Sequence, residues 1–126
     1  MIIEYLNKTK YPLYKRFCKT LELKNSPELI EEYKRIHAGS KTWPEVTEGM
    51  KEVGIIDMEI YLVDTRLFMI IGTVPDFDHE KAMQELSKKP RQTEWEKFVS
   101  RFQITEDDVA TPEKWELMER IYKMTD

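Results

Sequence analysis

The sequence holds two histidines, His37 and His79, and His37 is placed where it could move a proton. It lies four residues after Tyr33, which sets a phenol and an imidazole side by side on one helix face. Imidazole titrates near neutral pH, so a pocket containing His37 could run acid or base chemistry with no metal and no cofactor. The alternative is a hydrogen-bonded core histidine, a common fate for this residue on an apolar face.

Other chemistry-bearing patterns are weaker or missing. The four glycines form no phosphate-binding loop, and there is no CxxC or HxxxH spacing and no Ser-centred nucleophile elbow. Asp76-Phe77-Asp78-His79-Glu80 gathers three carboxylates and the second histidine, but a loop entering a helix calls for the same acids, so no metal site is expected. Trp95 and Phe98 could stack on a flat ligand, although helical spacing suits them equally to packing. Cys18, the single cysteine, excludes an internal disulfide and fits a reducing compartment.

The elements that must position these residues follow from period and punctuation. Residues 1–15 are polar and tyrosine-rich, interrupted by Pro12, and read as an arm before a single domain over 16–126. Arg16 to Leu23 alternates, with Phe17, Leu21 and Leu23 on one side, as a half-buried strand does. Ser26 as N-cap and Pro27 at the first position start a helix whose stripe is Leu29, Ile30, Tyr33, Ile36 and His37, ending near Gly39. A second helix begins at Trp43-Pro44-Glu45 and stops at Gly54. Ile55–Val63 and Arg66–Val74, joined by Asp64-Thr65, form a hairpin. Asp78 caps a third helix that ends before Pro90, and Gln92–Phe102 is a fourth, with Trp95, Phe98, Val99 and Phe102 inward. Residues 103–112 read as an acidic loop. The final segment, Trp115–Met124, settles into neither period.

If that last element is a strand, the order is β-α-β-β-α-β, an α+β, ferredoxin-like antiparallel sheet with helices on one face. Its other face would be bare in a monomer, so a homodimer is expected. A net charge of −4 and short basic runs beside acids argue against nucleic acid as a partner. No apolar run reaches 18 residues, and the N-terminus lacks the features of a signal peptide, so no membrane partner and a cytoplasmic location are expected.

Several segments together resemble the L-rhamnose mutarotase family: Tyr33-Lys34-Arg35-Ile36-His37, Trp43-Pro44-Glu45, Ile60-Tyr61-Leu62, Leu67-Phe68 and Trp95-Glu96-Lys97-Phe98. The likeness runs from about residue 16 to the C-terminus. It implies a dimeric α+β barrel of ferredoxin-like subunits, makes the last element a strand, and implies cofactor-free interconversion of the α and β anomers of a monosaccharide. It also implies that His37 is the proton donor, that Tyr33 contacts the sugar, and that a tandem tryptophan pair does so too. Here only Trp95 of that pair is kept, with Glu96 in the second place, and a further sugar-contacting tyrosine is replaced by Met58. Two extra residues separate His37 from Trp43 relative to the shortest members.

Mutarotation needs the ring oxygen to gain a proton while the anomeric hydroxyl loses one, which a group near pKa 6.5 can provide. Trp95 would offer an apolar face to the sugar, and Glu96 would bind hydroxyls or act as complementary base. L-rhamnose is the family default, with L-fucose or a related 6-deoxy aldose also consistent. The alternatives on the same fold are a cofactor-free monooxygenase-like protein and a non-catalytic metabolite-binding dimer. A polar cleft uniting Tyr33, His37, Trp95 and Glu96 would separate the mutarotase from both.

Overall fold

Alternation decides what each strand shows to its two sides. In the computed structural model, which describes residues 2–105 and 114–125, β1 spans Lys15–Leu23, β2 Ile55–Val63 and β3 Arg66–Thr73. Phe17, Lys19 and Leu21 of β1 lie opposite Ile71, Met69 and Leu67 of β3, and these β3 residues lie opposite Met58, Ile60 and Leu62 of β2. That row faces the helices. Thr20, Phe68 and Tyr61 form a row on the other side, beside Cys18, Ile70 and Glu59.

The sheet is antiparallel, in the order β2-β3-β1, and two short strands share the far edge of β1. β4 (Gln103–Ile104) pairs with Glu22–Leu23, and β5 (Glu116–Met118) pairs with Cys18–Thr20. The register of β2 shifts between Ile55 and Asp57, a bulge that changes the phase of the strand. Ile55 and Met58 consequently both turn toward the helices.

Four helices cover that side: α1 (Pro27–Ile36), α2 (Pro44–Glu52), α3 (His79–Leu86) and α4 (Gln92–Ser100). Ser26 caps α1 through the Leu29 N–H, and Asp78 caps α3 through the Lys81 N–H. Asp78 therefore has the capping role that its loop suggested. The helices and sheet enclose one core including Leu23, Leu67, Ile71, Met83, Leu86, Val99 and Phe102. Each such side chain contributes roughly 1.5–3 kcal/mol by leaving water. Gly54, at φ +103°, makes the turn from α2 into β2 that a Cβ would strain.

Three sequence boundaries move. α1 stops at Ile36 with His37 as its C-cap, so His37 belongs to the helix end rather than its stripe. α4 stops at Ser100, two residues before the expected Phe102, and Gln103–Ile104 is a strand rather than the start of a loop. The rest of that expected acidic loop, from residue 106, lies outside the described residues. The last segment is a strand over only Glu116–Met118, since Trp115 is a bend and Glu119–Lys123 carry no regular structure. Among the described residues no helix is long and apolar enough to cross a membrane.

Residues 2–14 are exposed and run along the open face of the sheet. The Tyr5 ring meets Tyr61 edge-on at 5.8 Å, and the Tyr14 ring lies against Gly72, where a side chain would come within 3.6 Å of it.

Candidate active site

The sequence expectations converge on one place. Between the helices and the sheet lies a cavity of about 480 Å³, and Tyr33, His37, Met58, Trp95 and Glu96 all line it. The period of α1 brings Tyr33 there, the helix end brings His37, the bulge in β2 brings Met58, and successive residues of α4 bring Trp95 and Glu96.

The geometry of His37 fixes its proton. Its Nδ1 lies 2.8 Å from the Tyr33 backbone carbonyl, which can only accept, so Nδ1–H donates and Nε2 carries the lone pair. Aromatic rings pack around the imidazole, Tyr33 at 4.4 Å between centroids and Trp95 at 5.4 Å. Burial lowers the His37 pKa below its usual 6.5, and the carbonyl hydrogen bond opposes this only in part. The resting form at neutral pH is the free imidazole.

Trp43 extends the aromatic wall. Its ring meets Trp95 edge-on at 5.2 Å and stacks on Phe98 at 5.7 Å, while the Arg91 guanidinium sits 4.1 Å over it. Arg91 is also ion-paired to Glu45 and Glu94 at the surface.

Around Glu96, which the sequence singled out, the cavity is polar, and sequence reasoning missed the residues that hold this carboxylate. Gln103 donates to the Tyr33 hydroxyl at 3.1 Å, and Gln92 donates to Glu96 Oε1 at 2.7 Å. Lys114, almost fully buried behind Glu96, places Nζ 2.8 Å from Glu96 Oε2. Burial pulls the Lys114 pKa down while Glu96 holds it up, and burial drives the Tyr33 hydroxyl upward, out of reach as an acid at neutral pH. Lys19, buried on the helix side of β1, also lines the cavity.

A signal for these residues was available. Lys19 interrupts the alternation of Phe17, Leu21 and Leu23, and Gln92 and Glu96 share a helix face with Val99. Gln103 and Lys114 gave none, since their inward direction depends on strand pairings at the far edge of β1. Asp76-Phe77-Asp78-His79-Glu80 forms no metal cluster: among the described residues no three His, Cys, Asp or Glu side chains converge. His79 instead packs against Phe17 at 5.1 Å.

A mixed α+β domain whose sheet and helices enclose a histidine, aromatic rings and buried amides has the site of a small-molecule enzyme. The profile of the L-rhamnose mutarotase family matches residues 16–124, and the chain belongs to that family. It is thus an enzyme, a mutarotase in the class of carbohydrate isomerases, which sets aside the non-catalytic and monooxygenase-like alternatives.

The chain is 32% identical over 111 residues to the L-fucose mutarotase of Xanthomonas campestris pv. campestris, covering 88% of this chain and 89% of that protein. It is 32% identical over 89 residues to the L-rhamnose mutarotase of Burkholderia ambifaria, covering 71% of this chain and 82% of that one. A UPF0734 protein of Dictyostelium discoideum is 35% identical over 115 residues, covering 88% of this chain and 90% of that protein. The crystal structure of an L-rhamnose mutarotase from Formosa agariphila shares the fold at a TM-score of 0.62 and 18% identity, over 88% of this chain and 99% of that one.

Proposed function

We propose that the protein interconverts the anomers of a neutral 6-deoxy or related aldose, L-rhamnose or L-fucose, with His37 as the single proton shuttle. The observation that carries this reading is the Nδ1–H bond to the Tyr33 carbonyl, which leaves a basic Nε2 at the cavity wall. Nε2 takes the proton of the anomeric hydroxyl. The O–H pair becomes the second bond of the C1 carbonyl, and the C1–ring-oxygen pair moves onto the ring oxygen. The imidazolium then returns its proton to that oxygen, which was bonded to the same carbon and lies within reach. Rotation about C1–C2 and reversal of these steps closes the other anomer. His37 is therefore the family's proton donor in the second half of the event and a base in the first.

Trp95 is the stacking surface for the C–H side of the sugar, and Tyr33 and Glu96 are hydrogen-bonding partners for its hydroxyls. Met58, standing where the family has a tyrosine, contributes an apolar contact. No metal and no cofactor is needed, because every bond change is a proton transfer or its consequence. The chemistry suits a cytoplasmic monosaccharide.

The subunit is read as one half of a ferredoxin-like dimeric barrel, with a second copy over the open sheet face. Phe68, Ile70, Cys18 and Tyr61 on that face, and the strongly exposed Ile121 and Met124 after β5, support this. Residues 1–15 are an arm belonging to the same contact.

Exchange NMR on equilibrated L-rhamnose and L-fucose tests the function. Wild type should speed α/β exchange of one of them, and His37→Ala should remove the acceleration. No acceleration of any aldose by wild type would sink the reading.

A further inference from the structure

Gln103 lines the cavity although the two-residue strand that carries it, β4, lies at the far edge of β1. Its backbone pairs with Leu23, and its side chain is buried. The amide Nε2–H donates to the Tyr33 hydroxyl oxygen at 3.1 Å, and the amide oxygen is buried with no partner among the described residues. A phenol carries one proton and accepts through its oxygen. Because Gln103 meets that oxygen as a donor, the Tyr33 proton must point elsewhere. Among the described residues no group accepts it.

The reverse amide orientation would take the phenolic proton onto Oε1. It would also leave both Gln103 N–H groups buried and unpaired, and orphaned N–H groups are rarer in folded proteins than under-satisfied carbonyl oxygens. The observed orientation keeps one N–H bonded and leaves the phenolic proton unspent. Burial raises the Tyr33 pKa, Gln103 opposes this in part, and the Glu96 charge adds to it, so the proton stays on the phenol at neutral pH. Tyr33 and His37 line the same cavity, with their rings 4.4 Å apart. A sugar seated at His37 therefore has Tyr33 beside it.

Resting on the mutarotase reading, we propose that Gln103 is a positioning residue that gives the Tyr33–sugar contact a fixed sense: by donating to the phenol oxygen, it makes Tyr33 a hydrogen-bond donor to the substrate. Tyr33 touches the sugar, and Gln103 acts only through Tyr33. The substrate class is a neutral aldose that presents an oxygen lone pair to the phenol.

The test is a double-mutant cycle of Tyr33→Phe and Gln103→Met on one accepted aldose, with kcat/KM read by exchange NMR. Tyr33→Phe should cost roughly 10-fold and Gln103→Met roughly 3- to 10-fold, the range of one hydrogen bond. The double variant should be no slower than Tyr33→Phe alone, because Gln103 has nothing left to aim. Losses that multiply in the double variant would overturn the proposal. So would a Gln103→Met protein as fast as wild type or faster, since the amide would then be idle or holding the proton. A second reading needs no variant at Gln103: one of its side-chain N–H protons should change chemical shift in Tyr33→Phe, and an unmoved signal would overturn the bond. Failure of wild type on every aldose would strike the mutarotase reading, while the amide signal would still decide the direction of the bond.

Discussion

Lys19 and Thr20 are neighbours in β1, yet their side chains leave the sheet in opposite directions. On the Lys19 side, polar groups sit inside an apolar shell: Lys19, Gln92, Glu96 and Gln103 are all buried beside Leu21, Met69 and Val99. On the Thr20 side, apolar groups sit half in water, with Phe68, Ile70 and Tyr61 among Glu59, Asp57 and Arg16. Simple sorting by polarity would give neither arrangement. Polar groups inside call for a polar ligand, and apolar groups outside call for a protein surface. In the proposed reading the two faces carry two different contacts, a sugar within and a second copy without, which mutation can separate.

The largest expected effect is on the inner face. His37→Ala should lower kcat by about 10²–10⁴-fold, the usual worth of a positioned acid or base, with the fold intact by circular dichroism. Lys114→Met alone should destabilise the protein by roughly 3–5 kcal/mol in urea unfolding, because the Glu96 charge stays buried without its partner. Adding Glu96→Gln to Lys114→Met, which removes both charges of the pair, should recover much of that loss.

Phe68→Glu sharpens the comparison from the other side. It should shift the mass measured by sedimentation from dimer to monomer and leave the unfolding midpoint of the monomer nearly unchanged, since the side chain is only half-buried. A monomeric wild type would break the comparison. The smallest effect is expected from Lys34→Ala, whose ion pair with Glu31 is exposed at 3.1 Å and worth about 0.3–0.5 kcal/mol.

The inner face also sets the response to pH. His37 and His79 both titrate below 6.5 in the folded protein, each mainly through burial. Between those values and 6.5 the unfolded chain holds more protons, so stability rises with pH through that window and is lost as pH falls toward the folded values. The kcat/KM profile follows the folded protein alone, so with neutral His37 as the proposed starting base it should rise through the lowered His37 pKa and be level by its usual 6.5. A profile that falls there instead would mean that imidazolium starts the chemistry.

What the sequence made legible was whatever depends on neighbours in the chain. The Tyr33–His37 pair, the caps at Ser26 and Asp78, the hairpin and the aromatic face of α4 are local consequences of period and punctuation. The floor of the cavity is different. Gln103 points inward because it pairs beside Leu23, and Lys114 is buried because β5 docks on β1. Neither pairing leaves a mark on the surrounding residues. Met58 reached the cavity partly because a bulge shifted the phase of β2, and no turn residue announces a bulge.

The shared edge of β1 bears on how the chain is made. β1 finds its first sheet partner only when residues 66–73 exist, and its far edge is closed by residues 103–104 and 116–118. At ribosomal speed, about 5–20 residues per second, Leu21 and Leu23 wait roughly 3–10 s for β3. Nearly the whole protein must be synthesised before the central strand has both neighbours. Long-range pairing of this kind folds slowly and leaves an apolar strand open to other nascent chains. Yield during rapid expression should depend on temperature and on holding chaperones more than on the stability of the finished protein.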